Sequence, residues 1–217
     1  MGLDVRWAVE WLKLSADAMN SHRMELIELD RAIGDSDHGE NMDRGFQAVV
    51  AKLEEAPPET PGAALKVAAM TLMSKVGGAA GPLYGTAYLR ASTSLGDVTD
   101  VDAGALAAAL GAARDGVVAR GKAEPGDKTM IDAWTPAVEA AQKAAADGKD
   151  PGEVLDAAAK AAQAGAESTD ALVARKGRAS YLGERSAGHR DPGAASTALL
   201  LRAAATAAGA DPGVGAA

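Results

Sequence analysis

The sequence predicts an all-α domain, a bundle of about eight antiparallel amphipathic helices, from three observations. Of its 217 residues 47% are hydrophobic but only 3% aromatic, so Ala, Leu, Val and Met must build the core, and alanine is the best intrinsic helix former. No segment alternates polar and apolar residues as a half-buried strand would. Three helix starts share one device, an oxygen-bearing N-cap followed by proline at the first helical position: Thr60-Pro61, Asp150-Pro151 and Asp191-Pro192.

The first helix spans residues 5–19, with Val5, Ala8, Val9, Leu12, Ala16 and Met19 on one side. The second runs through "HRMELIELDRAI" to Gly34, where freedom at positive φ would suit a helix C-terminus. The third reads "NMDRGFQAVVAKLEE" and is stopped by Pro57-Pro58. Further helices cover residues 64–76, 84–94, 103–120, 129–146, 153–174 and 194–208, and Asp150 has Glu153 at the capping-box position. Short loops between long helices are the arithmetic of a helical bundle. There is no repeat and no interdomain linker. Residues 1–210 therefore form one domain, with 211–217 as a frayed tail.

The net charge of −8 comes without a basic stripe, which argues against a nucleic-acid partner. The absence of cysteine excludes disulfides and thiolate metal sites. No apolar run approaches the roughly 18 residues of a membrane span, and "MGLDVRWAVEWLK" lacks a signal-peptide pattern. A cytoplasmic location with no membrane partner is expected.

Chemistry concentrates in "GDSDHGENM", residues 34–42, which crowds Asp35, Asp37, His38 and Asn41 together with Asp30 just upstream. Carboxylates suit hard cations. A calcium EF-hand starting at Asp35 would need glutamate at its twelfth position, which is Phe46. Zinc would want imidazoles or thiolates at set spacings, and the three histidines, His22, His38 and His189, are scattered. Magnesium fits better, because it takes a few carboxylates and completes its shell with water and phosphate oxygens. The competing reading is a polar loop whose acids cap the next helix, and the loop alone leaves both open.

A phosphate would need a cradle. Gly116 to Lys122 has G-x-x-x-x-G-K spacing, but Ala123 stands where a P-loop needs Ser or Thr, and an alanine-rich helix precedes it in place of a strand. No dinucleotide fingerprint follows a strand either. Three other loops are better placed. "VGGAAGPLYGT" (76–86) offers Gly77, Gly78 and Gly81, whose bare amides can reach an anion. "RGKAEPGDKTMIDAW" (120–134) holds Lys122, Gly126, Asp127, Lys128 and Thr129. "KGRASYLGERSAGHRDPGAAS" (176–196) carries Arg178, Arg185, His189 and Arg190. Long charged loops in compact domains are more often functional than not.

Together "LDRAIGDSDHGENMDRGF", "GGAAGPLYGT", "RGKAEPGDKTMIDAW" and "GRASYLGERSAGHRDPGAAS" resemble the signature blocks of the nucleotide-binding L subunit of bacterial dihydroxyacetone kinases. The blocks are long, ordered and spread over most of the chain. The resemblance implies a barrel of about eight helices with ADP or ATP at one rim, held through two Mg²⁺ ions. By motif, Asp30, Asp35 and Asp37 would be the metal ligands. His38, Gly39, Glu40, Asn41, Ala79, Ala80, Gly121, Met130, Arg178, Asp191, Pro192 and Gly193 would line the nucleotide, with Arg178 also the catalytic candidate. With few rings available, adenine is expected on aliphatic and thioether surface such as Met130 and Leu83. One departure stands out: Ala80 replaces the serine of the family's "GGASGPL", so that phosphate contact must come from backbone amides.

The implied activity is phosphotransferase-dependent phosphorylation of dihydroxyacetone. A phosphoryl-donor M protein would recharge bound ADP, and the sugar would sit on a separate K subunit. A homodimer is a further association open to the chain. The alternatives are an ATP-dependent keto-sugar kinase subunit with exchangeable nucleotide, and a non-catalytic nucleotide-sensing module on the same scaffold.

Overall fold

The structure, a computed structural model, describes residues 2–209. The expected frayed tail, 211–217, lies outside the described residues. Nine α-helices form among these: α1 (Val5–Ser21), α2 (Arg23–Ile33), α3 (His38–Glu55), α4 (Pro61–Lys75), α5 (Ala80–Leu95), α6 (Ala103–Gly121), α7 (Ile131–Ala146), α8 (Pro151–Ser168) and α9 (Pro192–Ala207). Two 3₁₀ helices, Thr169–Ala171 and Arg178–Ser186, lie between α8 and α9. Among the described residues β-pairing amounts to one antiparallel bridge, Leu3 with Val101.

Eight helices close into a ring. Helices α3 to α9 each pack on the next, α9 returns to α1, and α1 meets α3. The remaining helix, α2, lies against α3, α9 and the second 3₁₀ helix. The expected eight-helix count thus describes the barrel wall.

The three Pro-led starts form as predicted, with Thr60 accepting from the Ala63 N–H, Asp150 from Glu153 and Asp191 from Ala194. Asp150 and Glu153 complete the capping box. Helix α8 ends at Ser168, before the expected 174. There the Ser168 and Thr169 hydroxyls bond back to Gly165 O and Ala166 O, and the chain tightens into its 3₁₀ turn. The long polar connection is not structureless, since residues 178–186 are 3₁₀ and kink at Gly183 (φ 55).

The interior is built chiefly from Ala, Leu, Val and Met, as the composition implies, with a few rings set among them. Six of the seven aromatic residues are buried. Trp7 stacks on Trp11 with ring centroids 5.3 Å apart, and Trp11 meets Tyr88 at 5.5 Å. Both indoles on α1 donate to α9, Trp7 to Ala204 O at 3.1 Å and Trp11 to Leu200 O at 2.8 Å. Alanine lets the helices approach closely, while a few rings fill the bore and tie the ring shut.

Candidate metal and phosphate site

The connections α2–α3, α4–α5, α6–α7 and α8–α9 meet at one end of the barrel, where they line a single cleft of about 200 Å³. Asp30, at the end of α2, is 7% exposed, and its Oδ2 accepts the Asp37 and His38 N–H groups at 2.9 and 3.1 Å. Gly34 makes this possible, although not by the left-handed cap expected of it. Its φ is −142; glycine is required because a Cβ there would collide with Asp30 Oδ1. The left-handed residue is Ser36, at φ 67, which turns the chain so that Asp35 and Asp37 face the same side as Asp30.

Each of the three carboxylates offers an oxygen within 4.8 Å of the others. Helix α3 starts at His38 and Asp37 is its N-cap, yet the Asp37 side chain makes no cap hydrogen bond. Helix capping accounts for Asp30 but leaves Asp35 and Asp37 unexplained. Partial desolvation first, then the Asp35 charge, raises the Asp37 pKa above the usual carboxylate value, and an Asn41 hydrogen bond opposes this. Among the described residues one cation pairs with the cluster, Arg178, whose Nη2 lies 2.9 Å from Asp35 Oδ2.

Opposite the acids, α5 begins without a side-chain cap at Ala79. Gly77, Gly78 (φ 64), Ala79 and Ala80 line the cleft there, so a helix N-terminus with free amides faces it. Burial pushes the His38 imidazole down to about 4, so it is neutral near pH 7, and its Nε2 sits 2.9 Å from Ser196 Oγ. That hydroxyl belongs to a buried set with Tyr84 and Thr197 that converges on Gly193 O. Asp191 caps α9, and burial raises its carboxyl to about 7.

A second, largely apolar pocket of about 320 Å³ adjoins the cleft, and Ala79, Leu83, Thr129, Met130, Lys176 and Gly177 line both. Gly121 stands in this pocket, apart from the acids. The P-loop-like Gly116 to Gly121 run lies inside α6, as its alanine-rich approach predicted.

Asp30, Asp35, Asp37, His38, Asn41, Ala79, Ala80, Met130, Arg178, Asp191, Pro192 and Gly193 share the cleft. Gly39 and Glu40 stand away from it. Gly39 packs on α2, where a Cβ would strike Arg23 O, and Glu40 is an exposed residue in the first turn of α3. The structure adds Lys128, Thr129, Lys176 and Gly177 to the lining. The glycine-rich 120–134 loop signalled the first two in the sequence, but nothing local signalled that the Lys128 side chain is buried.

Residues 32–206 match the DAK2 domain family. The chain is 45% identical over 208 residues to the PEP-dependent dihydroxyacetone kinase ADP-binding subunit of Escherichia coli, covering 96% of this chain and 99% of that one. It is 43% identical over 203 residues to the ADP-binding subunit of PEP-dependent dihydroxyacetone kinase 1 of Listeria innocua, covering 94% and 96%. The dihydroxyacetone kinase of C. freundii, solved with AMP-PNP and Mg²⁺, superposes with a TM-score of 0.67 at 26% identity, over 95% of this chain and 35% of that longer one. Among the described residues no helix is long and apolar enough to cross a membrane.

Proposed function

The chain belongs to the DAK2-domain family, and from that premise we propose that it is the ADP-binding subunit of a phosphotransferase-dependent dihydroxyacetone kinase. In this reading it relays a phosphoryl group through bound ADP/ATP to dihydroxyacetone on a K subunit. The observation that carries the reading is the meeting, in one cleft, of three crowded carboxylates and an uncapped helix N-terminus. An acidic cluster without a cation would repel a polyphosphate.

Asp30, Asp35 and Asp37 are the residues to hold Mg²⁺, as two ions. Their hard oxygens suit it, and Asp30 is already pinned by two amides. When bound, magnesium supplies charge neutralisation between protein acids and phosphate oxygens during phosphoryl transfer. The chain does the rest. Free amides at Ala79 and Ala80 receive phosphate oxygens without needing a serine hydroxyl at 80. Arg178, 69% exposed at the mouth, is placed to follow the transferred group, with Asp35 orienting it. Neutral His38, held by Ser196, contributes shape without adding charge. Met130, Leu83 and Gly121 offer the apolar pocket to adenine.

In this reading a phosphoryl-donor M protein recharges the nucleotide, and dimerisation is a further association that light scattering would reveal. The test is native mass spectrometry of the purified chain, followed by reconstitution with a K subunit. Retained ADP with magnesium after dialysis, and turnover on adding the phosphoryl donor, are expected. Protein that carries no nucleotide and binds none in the presence of Mg²⁺ would refute the reading. Rapid exchange with free ATP would support the ATP-dependent alternative, which the AMP-PNP complex of the C. freundii kinase favours.

A further inference from the structure

The roles above leave one buried charge without a task. Lys128 is 1% exposed, lines the cleft, and stands at φ 62, a left-handed conformation that costs a lysine energy. Its Nζ donates to the main-chain oxygen of Thr169. The Thr169 hydroxyl accepts the Asp191 N–H at 3.0 Å, and Asp191 caps α9 through the Ala194 N–H at 2.7 Å. Met130 follows Lys128 by two residues, and a Cβ on Gly193 would lie 3.5 Å from the Met130 Cβ. One residue thereby connects to both sides of a close contact: its backbone leads to Met130, and its ammonium holds Thr169, whose hydroxyl receives the Asp191 N–H at the start of α9.

We propose that Lys128 is a positioning residue for the nucleotide, holding the α9 turn against Met130 through Thr169, where the phosphate cleft joins the apolar pocket. The inference rests on the nucleotide reading above. The local shape of the loop does not need this bond. Asp132 already accepts the Gly126 and Thr129 N–H groups at 2.5 and 2.8 Å, and the Asp127 main-chain oxygen accepts the Arg175 N–H at 3.0 Å. What the ammonium adds is the link from this loop to the start of α9. A buried cation is costly unless well paired, so placing one here exchanges stability for geometry.

The test is calorimetric titration of the full-length chain with Mg-ADP and, separately, with Mg-pyrophosphate. Binding of Mg-ADP by the unaltered protein checks the underlying reading, and its absence would bring down that reading first. Given such binding, Lys128→Met should weaken Mg-ADP about 10–100-fold, the range for residues that orient a ligand's direct contacts. Mg-pyrophosphate should weaken far less, because only ADP spans cleft and pocket together. Thr169→Val removes the acceptor of the Asp191 N–H while leaving the buried charge alone. It should lower the same ADP-to-pyrophosphate ratio by a smaller factor, and it decides the matter if Lys128→Met does not fold. A ratio unchanged in a folded variant, or equal losses for both ligands, would overturn the assignment.

Discussion

The two ends of the barrel handle helix termini in opposite ways. At the α7–α8 turn every charge finds its partner close by: Lys143 with Asp147 at 2.6 Å, Lys149 with Glu153 at 2.8 Å, and Asp150 in a reciprocal capping box. Gly148 takes the left-handed corner at φ 76 with open space around it. At the α2–α3 turn three acids crowd together and a guanidinium pairs with one of them, Asp35, the N-cap side chain caps nothing, and serine takes the left-handed corner. An end that only has to turn is satisfied from within, whereas the cleft end keeps charge and amides unspent for a ligand. Strain follows the same division. The three non-glycine residues at positive φ among the described residues, Ser36, Lys122 and Lys128, all lie in connections at the cleft end.

The largest expected effect tests the acidic end directly. Asp35→Asn or Asp37→Asn should lower Mg-ADP affinity beyond the about 10–100-fold typical of outer positioning residues, with helical circular dichroism unchanged. Undiminished affinity by calorimetry in both variants would end the metal assignment.

Next comes a matched pair of glycines. Gly34→Ala should displace the Asp30 carboxylate and cost roughly 1–3 kcal/mol of stability by overpacking, with a marked loss of metal affinity. Gly148→Ala should cost stability only, about 1 kcal/mol for the left-handed backbone. If chemical denaturation and Mg²⁺ titration show the two variants alike, the contrast between the ends fails.

Arg178→Ala should slow turnover in the reconstituted kinase by about 10²–10³-fold if it stabilises the transferred group as a fixed charge donor does. Turnover equal to the unaltered protein would remove it from the mechanism.

The pH dependence of stability separates the ends more gently. Folded Asp191 keeps its proton up to about 7, while the unfolded carboxyl releases it near 3.8. Its contribution is therefore fully present below about 3.8 and is lost as pH rises through about 7. Asp191→Asn, which mimics the protonated carboxyl, should remove this component, so in chelator the melting temperatures of variant and parent should agree near pH 4 and the parent should fall below the variant as pH rises to 7.5. Parallel curves would show that Asp191 does not titrate in this window. The smallest functional effect is expected from Asp150→Ala at the far end, about 0.5–2 kcal/mol of stability with Mg-ADP affinity untouched. A shift in affinity there would couple two ends that the structure keeps apart.

Much of the fold was legible because it is local. Cap chemistry at Thr60, Asp150 and Asp191, helical periodicity and proline stops each act within about one turn, so helix starts were found closely. Errors arose where distant groups intervene. Helix α3 starts early because Asp30, a residue of another helix, receives its first amides. Gly34 is glycine for want of space, and composition could not foresee that a handful of rings would gather in one bore.

The sequence by itself determined the all-helical architecture, the carboxylate triplet, and the loops rich in glycine and charge, since each rests on residue type and spacing along the chain. Only the tertiary structure decided which loops share an end, that Gly39 and Glu40 turn away from the cleft, that Gly121 faces the apolar pocket, and that Lys128 is buried against Thr169. Those are contacts between segments tens of residues apart, and closing the helical ring is what brings them together.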